Sequence, residues 1–170
     1  MSESDLQSQV ADYLRLQYPD VMFHSDFGSG IKLTPGQAAK QKRQNGGRRA
    51  WPDMFIAETS FIIPRGLVGA QKYDDCHWVC FPHRKGEAKK PALVAMCGLF
   101  IELKKEGEKL YPGPRSHPCN RFKSIDGKEY RTQHLCEQAD VLKKLRERGY
   151  CAEFAVGFEE AKRIIDTYLA

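Results

Sequence analysis

The run Gly98-Leu99-Phe100-Ile101-Glu102-Leu103-Lys104 is apolar enough for a strand, yet it carries a carboxylate and an ammonium two residues apart. Successive side chains of a strand point to opposite faces, so Leu99, Ile101 and Leu103 share one side and Phe100, Glu102 and Lys104 share the other. Taking an unpaired carboxylate or ammonium out of water costs several kcal/mol, so both charges need partners. One candidate lies upstream in Trp51-Pro52-Asp53-Met54-Phe55-Ile56-Ala57. There Asp53, Phe55 and Ala57 fall on one face and Met54 and Ile56 on the other. If the two strands are neighbours, Asp53 and Glu102 can hold a divalent cation between them.

The 170 residues suit one compact domain with a real core. A net charge of +5 and a sequence pI near 8.9 suggest an anionic partner without proving one. The placement of the charge says more. Between Lys32 and Arg49 lie Lys40, Lys42, Arg43, Arg48 and Arg49 with no acidic residue among them. Composition alone leaves a solvated basic loop and a nucleic-acid contact surface equally open. The opening Met1-Ser2-Glu3-Ser4-Asp5 is acidic and polar, unlike a signal peptide, and no apolar run is long enough to span a bilayer. A cytoplasmic protein is expected, with Cys76, Cys80, Cys97, Cys119, Cys136 and Cys151 reduced. Cys136 and Cys151 read as small core residues.

Ser2 or Ser4 can cap a first helix running to about Tyr18, with Leu6, Val10, Tyr13 and Leu14 facing the core. Val21–His24 is a short strand candidate. Thr34-Pro35 opens a short basic helix that ends near Gln44. The two strands described above are then separated by an insert over about 58–97, far longer than a hairpin needs. Its apolar pieces, Phe61-Ile62-Ile63 and Leu93-Val94-Ala95-Met96, flank a loop-like centre. From Lys104 to Tyr130 the chain shows no clear periodicity. Thr132 caps a helix with Leu135, Ala139, Leu142 and Leu145 as its stripe and Gly149 placed to end it. Tyr150–Val156 reads as a strand, and Gly157 leads into a last helix with Ala161, Ile164, Ile165, Tyr168 and Leu169 inward. The order predicts an α/β sheet with helices on its faces.

Hard cations such as Mg2+ take oxygen ligands, keep several waters and commonly bind one or two protein carboxylates plus phosphate oxygens. Asp53 and Glu102 supply such ligands. Lys104 would sit beside the attacking water, where its charge offsets the charge that builds on phosphate. The three groups together describe metal-assisted phosphodiester hydrolysis. Glutamate two residues before lysine is common, so from these residues alone a buried structural ion pair and a surface strand also stand.

Pro52-Asp53 followed by Glu102-Leu103-Lys104 resembles the PD-(D/E)XK nuclease signature, and the surroundings resemble its VRR-NUC branch. Glu3-Ser4-Asp5-Leu6-Gln7 is similar to that family's opening motif, and Lys32 to Lys40 leading to Trp51-Pro52-Asp53 resembles the approach to its aspartate. Glu137-Gln138 with Leu142, Leu145 and Gly149 resembles its glutamine-bearing helix, and Gly157-Phe158-Glu159-Glu160-Ala161 its closing helix. The resemblance implies a restriction-endonuclease-like fold over 1–170, a central mixed sheet flanked by helices; the chain departs from the family pattern in its longer insert between the catalytic strands and its longer segment from Glu106 to Arg131. It implies Mg2+ or Mn2+ dependence and DNA cleavage. Standalone members, largely from phages and bacteria, act as dimers on branched DNA such as Holliday junctions. Carried over, Asp53 and Glu102 are metal ligands, Glu3 supports the metal through water, Lys104 orients water or stabilises charge, and Gln138 helps place the scissile phosphate.

The remaining features have plainer alternatives. Glu3 also suits the first turn of a helix through the helix dipole, and Gln138 could be a solvated helix residue. Trp51 reads as a core or strand-edge aromatic more than as a base-stacking platform. Cys76, His77, Cys80 and His83 lie within one short loop, and Cys97, His117 and Cys119 could complete a tetrahedral zinc site. The spacing matches no common finger pattern. Beside a nuclease centre, the basic residues 40–49 would grip phosphates without reading sequence. The expectation is a structure-selective endonuclease; the alternatives are a general trimming nuclease and a noncatalytic DNA-binding module.

Overall fold

A strand whose six residues are all buried must have neighbours on both edges and cover on both faces, and Leu99–Lys104 has all of these. The computed structural model describes residues 2–25, 34–44, 51–62, 94–114 and 116–170, apart from the side chains at 38, 41, 42, 44, 61, 62 and 94. In chain order the elements are α1 (Glu3–Gln17), β1 (Phe23–Ser25), α2 (Pro35–Gln44), β2 (Met54–Ile56), β3 (Ser60–Ile62), β4 (Val94–Met96), β5 (Leu99–Lys104), β6 (Phe122–Lys123), β7 (Glu129–Tyr130), α3 (Gln133–Arg146), β8 (Cys151–Val156) and α4 (Phe158–Leu169). The main sheet runs β1-β2-β5-β8. β1 and β5 flank β2 antiparallel, and β8 lies parallel to β5, a pairing that requires a crossover. The chain from β6 through α3 makes it. The sheet is mixed and flanked by helices, as the sequence predicts.

The two faces of β5 receive different helices. Leu99, Ile101 and Leu103 join Met54, Ile56 and Ala155 in a core closed by Leu6, Val10, Ala11 and Leu14 of α1 and Ala161, Ile165 and Tyr168 of α4. On the opposite face Phe100 and Ala152 pack against Val141, Leu142 and Leu145 of α3. Leu135, Cys136 and Ala139 continue that layer around Tyr130. Each fully buried Leu or Ile contributes about 1.5–3 kcal/mol. With its six residues buried and both of its faces covered, β5 lies deep among the described residues, and Glu102 and Lys104 are carried inside with it.

Caps fall where the sequence places them. Ser2 and Asp5 form a reciprocal capping box at α1, and the Thr132 hydroxyl accepts from the Leu135 N–H at α3. Gly98 is required by close approach: a Cβ there would lie 2.5 Å from the Phe55 ring and 3.0 Å from the Ile56 carbonyl oxygen.

Local details follow from tertiary contacts. The first strand covers Phe23–Ser25 rather than Val21–His24, because its register is set by β2, with Phe23 opposite Ile56 and Ser25 opposite Met54. Tyr13 packs against the core as expected, half-buried, with its phenol donating to Asp166 Oδ1 at 2.5 Å. Cys151 packs against the core from a half-buried position at the start of β8, an edge strand. The stretch after Lys104 contains a small hairpin, β6 with β7, fastened to α3 by Ser124 and Asp140. Of the expected insert over 58–97, β3 pairs with β4 as an antiparallel ribbon, and 63–93 lie outside the described residues. Among the described residues no helix is long and apolar enough to cross a membrane.

Candidate active site

Register brings the two acids together. Met54 stands opposite Ile101, so one step back along β2 Asp53 stands opposite Glu102. The Asp53 carboxylate reaches across the strands, its Oδ2 accepting from the Leu103 N–H at 2.8 Å. Lys104 Nζ donates to Glu102 Oε1 at 2.9 Å and lies 3.5 Å from Glu3 Oε1 at the first turn of α1. From the other face Gln138 of α3 donates its Nε2 to the same Glu102 oxygen. Its amide Oε1 is buried without a hydrogen-bond partner among the described residues. Asp53, Glu102, Lys104 and Gln138 thus form one connected group, and Glu3 joins it through Lys104.

The electrostatics follow from burial. Glu102 is 2% exposed, and burial together with the charge of Asp53 pushes its carboxyl up to about 8 against the pull of Lys104. Burial also raises Asp53, with the Leu103 N–H and Lys104 opposing. Burial draws the Lys104 ammonium down, but Glu102, Glu3 and Asp53 outweigh it and hold the group above its ordinary value. Among the described residues one ammonium therefore faces three carboxyls, which leaves this group short of positive charge.

That shortage and the oxygen donors suit a hard divalent cation. Among the described residues no three His, Cys, Asp or Glu side chains gather as a complete cage. A buried carboxylate, Glu102, and a half-buried one, Asp53, leave the other positions to water and phosphate oxygens, which is how Mg2+ commonly binds. Asp53 and Glu102 fit that ion. Glu3, expected to reach it through water, is half-exposed and directed to Lys104.

The basic residues are partly placed: Lys40 and Arg43 are exposed on α2, while the Lys42 side chain, Arg48 and Arg49 lie outside the described residues. Cys76, His77, Cys80 and His83 lie outside them too. Cys97 is exposed, and His117 Nδ1 lies 2.9 Å from Cys119 Sγ. Trp51 is 41% exposed and meets the Phe100 ring edge-on at 5.8 Å. One participant went unassigned in the sequence. Gln7, buried in α1, donates its Nε2 to the Asp53 carbonyl at 3.1 Å. Its place at the end of the Glu3–Gln7 motif, four positions after Glu3 and on the same helix face, is the signal the sequence held for it.

No protein-family model matches the chain, and no curated protein matches it. A solved structure titled "VRR_NUC domain protein" is similar, with a TM-score of 0.51 and 20% identity over 99% of this chain and 88% of that one. At that identity the likeness is one of fold.

Proposed function

We propose that this chain is a single VRR-NUC domain, a Mg2+- or Mn2+-dependent deoxyribonuclease that hydrolyses phosphodiester bonds in branched DNA such as Holliday junctions and works as a homodimer. The observation that carries the reading is the meeting of Asp53, Glu102 and Lys104 at the adjacent ends of β2 and β5, with Gln138 donating to the buried Glu102. Asp53 and Glu102 would hold the cation. When bound, it supplies Lewis-acid polarisation of the phosphate and a more acidic attacking water. Lys104 offsets negative charge on the phosphoryl oxygens in the transition state. The unpartnered Oε1 of Gln138 is an acceptor for the attacking water, orienting it while Nε2 keeps Glu102 in place. Lys40, Lys42, Arg43, Arg48 and Arg49 contact backbone phosphates beside the cut, which fixes position without reading sequence. A two-fold dimer presents two such sites for paired incisions.

Labelled four-way, flap and linear duplexes incubated with Mg2+, Mn2+ or EDTA test this. Four-way DNA should be cut with either metal and left intact in EDTA. Equal cutting of linear duplex would replace junction preference with general trimming. Binding without cutting under every metal condition would leave a noncatalytic DNA-binding module.

A further inference from the structure

Taking from the nuclease reading that Asp53 is a ligand, we propose that Gln7 is a positioning residue for it, so that the first turns of α1 set how tightly the site holds a divalent cation. Asp53 occupies the entrance to β2, immediately after Pro52, a residue with no N–H to hold the incoming chain by a ladder hydrogen bond. The backbone at that point is fixed from outside the sheet. Gln7, 5% exposed, spans 46 positions of sequence to donate to the Asp53 carbonyl at 3.1 Å. The side chain is fixed separately, with Oδ2 accepting from the Leu103 N–H at 2.8 Å. Two anchors on one residue, one on its main chain and one on its carboxylate, leave little freedom to the remaining oxygen, Oδ1. A buried amide that donates to a carbonyl does not alter the charge of the site. It acts on geometry alone, as partners behind a ligand characteristically do. Glu3 extends the same helix face one turn earlier and touches Lys104, so α1 addresses both the acid and the amine of the site.

The test is direct Mn2+ binding without DNA, by calorimetry or electron paramagnetic resonance, on the parent chain, Gln7→Met and Gln7→Asn. Methionine keeps the length and removes the donor; asparagine keeps the amide and withdraws it by one methylene. Both variants should bind Mn2+ about 10-fold or more weakly. Both should also need correspondingly more metal for cleavage, with kcat returning near the parent value at saturation. Thermal midpoints in EDTA identify a variant that fails to fold, and the Mn2+ affinity of the other then decides. Lowered midpoints with unchanged Mn2+ affinity would overturn the proposal and leave Gln7 a packing residue. A parent chain that binds no Mn2+ would instead overturn the metal-site reading beneath it.

Discussion

Without metal, the protein should lose stability as pH rises from 5 to 8, and a divalent cation should remove that loss. Glu102 carries the effect, because burial and Asp53 move its carboxyl from an ordinary 4.5 to about 8. In the unfolded chain it gives up its proton near the ordinary value, whereas the folded chain keeps the proton until about 8. Between those limits the folded state binds more protons than the unfolded one, so the free energy of unfolding falls with rising pH. The contribution is full below the lower value and lost above the higher. At about 1.4 kcal/mol per pH unit the interval amounts to roughly 5 kcal/mol at most. The Glu102 side chain is only 3% exposed, so water screens little of it. The half-buried Asp53 and Glu153 are also raised by desolvation and add in the same direction. For a domain of this size the melting temperature should drop by roughly 10 °C across the window. Circular-dichroism melts in EDTA, then with millimolar Mn2+ or Mg2+, measure it, and Glu102→Gln should flatten most of the profile. A constant or rising midpoint in EDTA, or a drop of equal size in Glu102→Gln, would refute the reasoning.

Three further outcomes are expected. Lys104→Met should lower kcat by about 10²–10³-fold, since it removes a charge aimed at the transition state, while Mn2+ affinity stays within a few-fold of the parent. Gly98→Ala should destabilise the fold by about 1–3 kcal/mol in urea titrations, because the new methyl group meets both the Phe55 ring and the Ile56 carbonyl. Neutralising Arg48 and Arg49 together should weaken DNA binding and reduce the slope of log affinity against log salt by about 2, as two phosphate contacts are lost. An unchanged slope would remove them from the interface.

Much of the site's layout could be read from the chain because it depends on parity. The two-residue repeat of a strand places Glu102 and Lys104 on one face and Asp53 on the matching face of its neighbour, and the structure has them so. The same local rules account for the Ser2 and Thr132 caps and for the apolar stripes of α1, α3 and α4, since a helix start and its buried face are written within one or two turns. Where the chain offered no period, as between Lys104 and Tyr130, the two-residue strands β6 and β7 went unread. They are held less by their own pattern than by the Ser124–Asp140 and Tyr130–Asp126 contacts.

The sequence by itself determined which side chains carry charge, which face of each element is apolar, and that two acids and an amine could share one side of a sheet. Only the tertiary structure decided that β5 is enclosed by β2 and β8, that α3 lays Gln138 on Glu102, and that Gln7 holds the Asp53 backbone. The physical reason is range. Periodicity and capping act between residues a few positions apart, whereas burial of a charge and its choice of partner depend on chain segments dozens of residues away that meet only when the core closes.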